Sequence, residues 1–366
     1  MPQRTAPPAE GAPTATPHEV ALLRLAAQHI AGPGLPTPAE VVRRLTAVQA
    51  QDHGGALTSV ALRTAAGTRQ AVEAALDAGE IVKSWPMRGT LHFVAAEDLL
   101  WILDLTAPRM LASFAARRDQ LGLDAATLER ARLLAAEALA GGNRLRRDDL
   151  LAAWREGGLE TTGQRGYHML GYLAQAGVLC FGPVRDGEHL LVLAEEWIPH
   201  PRRPEREEAL GELALRYFTG HGPATVKDFT RWTGLLAADV RTGLALARPH
   251  LARLDVDGVE HLMDPRAPAL LAACRDRARG VFLLPGFDEF ILGYQDRGAV
   301  LPAEFAGRIV PGGNGVFQPT VIGDGRVLGT WKHTGRGAKR TIATAPFESF
   351  PDEVAAAIPG LYVALP

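Results

Sequence analysis

The chain has 366 residues, of which 47% are hydrophobic and 22% charged, and its formal net charge is −2. This length is sufficient for two or three domains with their own cores, and the composition is that of a globular protein. No apolar run approaches the roughly 20 residues that a membrane helix requires, and the near-neutral charge gives no general attraction to nucleic acid. Cys180 and Cys274 lie far apart among apolar or small residues, which predicts reduced core thiols in a cytoplasmic protein rather than a disulfide or a zinc site.

The N-terminal segment, residues 1–17, is rich in proline, alanine and threonine and has no apolar core of the kind found in secretory signals. This composition predicts a disordered tail. A first helix is expected within residues 18–34, because apolar residues recur there until Gly32-Pro33-Gly34 ends the pattern.

The next stretch, Thr37–Leu57, predicts the central helix of the chain. Thr37 is a good N-cap, Glu40 completes a capping box, and Gly54-Gly55 is expected to stop the helix. Two uncharged amides, Gln49 and Gln51, fall in its last turn. Since residues two apart on a helix do not face each other, both can serve one site only if the helix ends or distorts there, or if the site wraps around its tip. The alternative is that both are ordinary solvated side chains.

A plan of helices followed by a two-stranded hairpin recurs three times along the chain. In the second and third copies an Asp-Gly turn separates two apolar runs, which strongly favours a β-hairpin. Helices followed by such a wing are the winged-helix form of the helix-turn-helix. The polar stretch Pro199–Glu208 predicts a domain boundary. The three predicted units are residues 18–125, 126–200 and 205–270. Their hairpins are predicted at residues 81–95, 178–193 and 251–263. Further helices are expected at residues 69–77, 96–105, 128–140, 147–156, 163–175, 209–218, 225–232 and 237–246.

The last part of the chain, residues 280–366, has short apolar runs broken by glycine and proline, which predicts a small antiparallel sheet or a partly open barrel. A hairpin at 320–331 is followed by the basic, glycine-containing tip Lys332–Arg340, which could lie along phosphates or be a solvated turn. The candidate DNA-binding residues are Arg88, Lys332, His333, Arg336, Lys339 and Arg340.

No metal or cofactor is expected. The 11 histidines are scattered without a ligand pair at helical or turn spacing. The glycine-rich run Pro311–Gly315 lacks the strand, lysine and helix of a phosphate-binding loop. Asp288 and Glu289 are adjacent carboxylates between apolar runs, and a structural cap or ion pair is favoured over a role in orienting water.

Four segments resemble the winged-helix DNA glycosylases typified by AlkZ and YcaQ. They occur in the family's order through nearly the whole chain beyond residue 18. The resemblance implies a fold of three tandem winged helices and a β-rich C-terminal part, an α+β architecture arranged as a C-shaped clamp around DNA. The segments are VQAQDHG at 48–54, KSWPMRGTLHFVAAEDLLWIL at 83–103, LLPGFDEFILGYQDR at 283–297 and NGVFQPTVIGDGRVLGTW at 314–331.

The resemblance also implies an activity, the excision of bulky N7-alkylated guanines, including interstrand crosslinks and adducts of genotoxic natural products. The catalytic motif of the AlkZ branch is Gln–apolar–Gln, which Gln49-Ala50-Gln51 matches. Asp52 lies one position too late for the Gln–apolar–Asp motif of the YcaQ branch. We therefore expect Gln51 to position the hydrolytic water and Gln49 to assist it, in a monofunctional enzyme that needs neither a metal nor a lysine Schiff base.

Two other classes of function fit the same pattern of helices and hairpins. A non-catalytic winged-helix transcriptional regulator would bind DNA without forming abasic sites, and a protein–protein scaffold would not bind DNA in a salt-dependent way. For the glycosylase we expect a cytoplasmic monomer, associated with the nucleoid when bound, whose partner is double-stranded DNA carrying alkylated guanine and not a membrane.

Overall fold

The computed structural model describes residues 11–335 and 337–366. The described helices are α1 Pro17–Ala27, α2 Pro38–Leu45, α3 His53–Ala61, α4 Arg69–Asp77, α5 Leu99–Ser113, α6 Ala115–Gln120, α7 Ala125–Leu139, α8 Arg147–Glu156, α9 Arg165–Gln175, α10 Ala194–Trp197, α11 Arg206–His221, α12 Val226–Thr233, α13 Ala237–Ala247, α14 Ala267–Ala278, α15 Glu289–Leu292, α16 Ala306–Ile309 and α17 Asp352–Val363. The described strands are β1 Val48–Gln49, β2 Ile81–Met87, β3 Thr90–Ala95, β4 Leu179–Arg185, β5 Glu188–Leu193, β6 Ala252–Val256, β7 Val259–Met263, β8 Val281–Leu284, β9 Thr320–Gly323, β10 Arg326–Thr334 and β11 Thr341–Pro346.

The hairpins are where the sequence predicts them. Asp186-Gly187, Asp257-Gly258 and Asp324-Gly325 each connect neighbouring antiparallel strands, and in every pair both residues have positive φ. Two consecutive residues with positive φ make the turn whose twist matches that of a hairpin, and aspartate and glycine tolerate this conformation best. Arg88-Gly89 forms the same kind of turn between β2 and β3.

One five-stranded antiparallel sheet spans the first two predicted units. Its strand order is β1-β3-β2-β4-β5, so that the hairpin of each unit contributes two strands. The two hairpins meet where β2 pairs with β4, with Lys83 opposite Phe181. The boundary predicted between residues 125 and 126 is therefore bridged by main-chain pairing within a single sheet.

The first helix and the last part of the chain share a core. Leu22 and Leu25 of α1 are buried in the same apolar cluster as Phe290 and Ile322 of the C-terminal region. The part of the predicted tail that the structure describes is also held, because Ala15 donates to the carbonyl of Asp255 at 2.9 Å. Residues 13–17 thus differ from the disorder that the sequence predicts, while residues 1–10 lie outside the described residues.

The C-terminal region contains a four-stranded antiparallel sheet in the order β11-β10-β9-β8, as one of the two sequence-based alternatives predicted. Helix α17 covers it, with Val354 and Ile358 buried against Leu283 and Val321. Neither α17 nor α14 was expected from the sequence. Among the described residues, none of the helices is both long enough and apolar enough to cross a membrane.

Candidate active site

The segment that carries the two glutamines is not the end of a long helix, as the sequence had predicted. Helix α2 begins at the predicted capping box but ends at Leu45, and Gly54-Gly55 lies inside α3 rather than stopping a helix. The helix ends because Thr46 has a φ of 66°, from which the chain enters β1. The pairing of β1 with β3, which is distant in sequence, overrides the local helical pattern.

In this extended segment Gln49 and Gln51 fall on the same side of the chain. Alternate residues of a strand face opposite sides, and Val48 and Ala50 are fully buried in the core formed with α2, α3 and α4. The extended pairing continues past β1, since Ala50 donates to the carbonyl of Leu91 at 2.7 Å. The two amides therefore share the opposite face, as a joint role requires.

The two amides differ in exposure and in hydrogen bonding. Gln49 is only 7% exposed, and its Oε1 has no hydrogen-bond partner among the described residues. Gln51 is exposed, and its Oε1 accepts a long hydrogen bond of 3.4 Å from the backbone N–H of Leu91. A buried acceptor without a partner costs about 1–3 kcal/mol, which favours a water or substrate group beside Gln49.

His92, the strand partner of Gln49, is neutral. It is fully buried between the Thr90 carbonyl, 2.8 Å from Nδ1, and Arg88 Nη2, 3.0 Å from Nε2. Burial, reinforced by the charge of Arg88, lowers the pKa of His92 to about 3. The ring therefore donates from Nδ1 and accepts at Nε2, and it braces the strand that carries Gln49 without adding charge.

Arg88 does not fit the DNA-contact role predicted from the sequence. Its guanidinium donates to the carbonyl of Trp232 at 2.9 Å and lies over the indole ring, 5.5 Å from the centroid. Arg88 thus ties the β2–β3 hairpin to α12.

Arg340, at the end of the basic tip, lies near Arg69 of α4. Lys332, Lys339 and Arg340 are exposed, and Arg336 lies outside the described residues. Burial lowers the pKa of Arg69 on α4, Arg340 lowers it further, and Asp52 opposes both effects. Arg340 and Asp52, the residue that follows Gln51, therefore both lie within range of the charge of Arg69.

His333, also predicted to bind DNA, is held within the C-terminal region. Its Nδ1 lies 2.8 Å from the hydroxyl of Tyr362, and its ring packs edge-on against Trp331. Its pKa is lowered by burial, and next by Arg340 and Arg69. His333 is exposed and uncharged near neutral pH, so that it can contribute a hydrogen bond but no charge to this surface.

A cluster beside the glutamines was not predicted from the sequence. His53 Nδ1 lies 3.1 Å from His189 Nε2. Burial lowers the pKa of His53 to about 4 and that of His189 to about 3, and the positive charge of Lys83 lowers both further. Lys83 is 6% exposed, and burial, opposed by Asp52, lowers its pKa to about 8. A lysine inside the apolar run of a predicted strand is the sequence signal that could have identified this cluster.

Asp288 and Glu289 have the structural role that the sequence favoured. Asp288 accepts from the N–H of Phe290 as the N-cap of α15 and forms a fully buried ion pair of 2.8 Å with Arg63, in the turn that follows α3. Glu289 contacts His221 Nε2 at 3.2 Å and Trp232 Nε1 at 2.9 Å. These contacts, together with the hydrogen bond that Ser59 of α3 donates to Asp288 at 2.7 Å, fix the C-terminal region to α3, to the turn after it and to the third helix–hairpin unit.

Comparison with known proteins places this arrangement in one class of enzyme. A model of the AlkZ-like DNA glycosylase family matches residues 42–360. The chain is 31% identical over 313 residues to the interstrand DNA cross-link repair glycosylase of Streptomyces sahachiroi, covering 81% of this chain and 82% of that protein. The solved structure of the Streptomyces sahachiroi DNA glycosylase AlkZ superposes with a TM-score of 0.80 at 26% identity, covering 96% of each chain.

The chain therefore belongs to the AlkZ-like DNA glycosylase family, whose members are hydrolases of N-glycosyl bonds. Within the described residues, no group of three or more histidine, cysteine, aspartate or glutamate side chains is arranged to hold a metal ion.

Proposed function

We propose that this protein is a monofunctional DNA glycosylase that hydrolyses the N-glycosidic bond of bulky or crosslinked N7-alkylated guanines and leaves abasic sites. The observation that supports this most directly is the shared face of Gln49 and Gln51, together with the unpartnered Oε1 of Gln49. The resemblance to the cross-link repair enzyme of Streptomyces sahachiroi supports the choice of lesion.

The proposed chemistry suits two neutral amides. Alkylation at N7 gives the guanine a positive charge, which makes it a good leaving group, so the protein need not supply a strong acid. It must instead hold a water against the anomeric carbon and stabilise an oxocarbenium-like transition state. An amide carbonyl can accept a hydrogen bond from that water, while its NH2 donates to a sugar or phosphate oxygen. We assign the water to the exposed Gln51 and the supporting contact to Gln49.

We further propose that the three helix–hairpin units are winged helices and that, with the C-terminal region, they form a C-shaped clamp around duplex DNA. The basic tip would then lie along the phosphates near the lesion, with Lys332 and Lys339 supplying charge. The protein is proposed to act as a monomer, in base excision repair or in self-resistance to a genotoxin.

The test is the release of 7-methylguanine from duplex DNA, followed as alkali-labile abasic sites in single-turnover reactions. We expect Gln51→Ala to lower the rate constant at least about 100-fold, the scale on which positioned polar groups act, and Gln49→Ala to lower it less. Gln120→Ala, an exposed glutamine on α6, is the matched control. Full activity of Gln51→Ala would remove the assignment, and DNA binding without any base release by the unaltered protein would favour the non-catalytic regulator.

A further inference from the structure

Lys83 is a largely buried lysine that has no ion-pair partner among the described residues. The residue is only 6% exposed, yet its side chain makes no ion pair or hydrogen bond with any residue that the structure describes. A buried charge is stable only when it is paired or hydrogen-bonded. Lys83 lies where the two hairpins meet, opposite Phe93 on one side and Phe181 on the other, so the three side chains share one face of the sheet.

The first turn of α3 lies beside Lys83. Phe93 and Phe181, the strand partners of Lys83, pack edge-on against His53, the first residue of α3, and against His189, so Lys83 lies on the face of the sheet that meets the start of α3. In keeping with this, Lys83 contributes to the lowered pKa of His53, and Asp52, the N-cap of α3, acts on the pKa of Lys83. Asp52 makes no side-chain capping hydrogen bond, and the next two residues after His53 are glycines; Gly55 is buried, whereas His53 and Gly54 are half-buried and keep part of the turn open to a ligand. The backbone N–H groups at the start of a helix, aligned with the helix dipole, favour a bound anion.

Two arginines complete the surroundings. Arg69 of α4 donates from Nε to the hydroxyl of Thr58, 3.0 Å away, and forms no ion pair among the described residues. Arg340 approaches Arg69 from the basic tip, as its lowering of the pKa of Arg69 shows. The neighbouring histidines, His53 and His189, are bonded to each other and neutral, so the positive charge remains on the lysine and the arginines.

Asp52 and Glu73 are the acids that act on these cations, and Asp52 lies nearest the start of α3. Its carboxylate lies against the start of α3, where a Cβ on Gly55 would come within 2.6 Å of Oδ2. Three cations against two carboxylates, Asp52 and Glu73, leave an excess of positive charge beside the start of α3. This combination recognises a phosphate oxygen and disfavours a cationic or neutral ligand.

We propose that Lys83, Arg69, Arg340 and the first-turn N–H groups of α3 bind one phosphodiester of the damaged DNA strand. Gln51 is separated from α3 by Asp52 alone, so a phosphate held here fixes the adjoining nucleotide against the glutamines. The inference rests on the proposed function for the identity of the strand. It adds a positioning site for the backbone, distinct from the water-holding amides and from the exposed lysines of the tip.

The first experiment measures binding without catalysis. The probe is a fluorescent duplex with a tetrahydrofuran abasic analogue, titrated by anisotropy at several salt concentrations. We expect Lys83→Met to weaken binding about tenfold and to reduce the slope of log K against log salt by about one. Lys83→Arg should retain most of the affinity and most of the salt slope. The charge-matched control is Lys227→Met, which replaces an exposed lysine on α12.

Asp52→Asn should have the opposite effect, because it removes the carboxylate that competes with the phosphate. Tighter binding of this variant supports the site, and a structural role of Asp52 alone would not produce it. Unchanged affinity and salt slope in Lys83→Met, with the variant folded as judged by circular dichroism, would overturn the proposal.

The second experiment locates the phosphate. Single methylphosphonates, which are uncharged, replace the phosphates around the abasic analogue one at a time. If Lys83 contacts one phosphate, the methylphosphonate at that position should weaken binding by the unaltered protein. The same methylphosphonate should not weaken binding by Lys83→Met any further, because that contact is already lost. Additive losses at every position would refute the site. Because neither experiment uses base release, a protein that binds in this way but excises nothing would disprove the proposed enzyme activity and leave the phosphate site standing.

Discussion

Replacing Asp288 with asparagine should destabilise the protein severely. Asp288 and Arg63 are both fully buried, and Arg63 also donates to Ser59 and Gln28, so its charge has no route to solvent. The asparagine side chain would keep an acceptor for the N-cap but would leave the charge of the Arg63 guanidinium without a counterion. Removing one partner of a buried ion pair costs about 3–5 kcal/mol. We expect the free energy of unfolding, measured by urea titration with tryptophan fluorescence, to fall by this amount.

The control is Glu129→Gln, which breaks the exposed i,i+3 pair with Arg132 on α7 and should leave the unfolding midpoint unchanged. Arg63→Met combined with Asp288→Asn should cost less than the sum of the single changes, because the double variant buries neither charge. If Asp288→Asn costs no more than Glu129→Gln, the buried pair is not what joins the C-terminal region to the turn that follows α3.

The charges near the site give two more predictions. Lys332→Ser combined with Lys339→Ser should reduce the salt slope of DNA binding by about two without lowering the melting temperature, because both side chains are exposed; an unchanged slope would show that the tip does not meet phosphate. His92 has a folded pKa of about 3 against 6.5 when unfolded, so the unfolded state binds more protons between these values and stability is lost as pH falls through that window, by up to about 1.4 kcal/mol per pH unit. His92→Asn, whose amide can replace the Nδ1 donor, should flatten the dependence of melting temperature on pH between 7 and 4, and an unaltered dependence would contradict the neutral assignment.

The hairpins could be predicted from the sequence because their determinants are local. Asp186-Gly187, Asp257-Gly258 and Asp324-Gly325 form turns through their own backbone preferences, and the flanking apolar runs supply the strands. The capping box of Thr37 and Glu40 is likewise present, with Glu40 N–H donating to Thr37 Oγ1 at 3.2 Å. Each of these features depends on residues within a few positions of one another.

The geometry of the glutamines could not be predicted in this way. Val48 and Gln49 are extended because Phe93 and His92 lie beside them, and this pairing joins residues far apart in the sequence. The local pattern around Val41, Val42 and Leu45 continues to favour a helix past the point where the strand begins. The position of Arg88 has the same explanation, since its partner Trp232 belongs to the third unit.

The single sheet that contains both β2 and β4 constrains how such a protein could have been assembled during evolution. If the repeated units arose by duplication, one copy could be lost or exchanged alone only while its strands paired with strands of the same unit. Here, cutting the gene between residues 125 and 126 would expose the backbone of two strands and leave each fragment prone to self-association. Residues 48–193 therefore form the smallest exchangeable block of this region, and chimaeras with relatives should transfer them together.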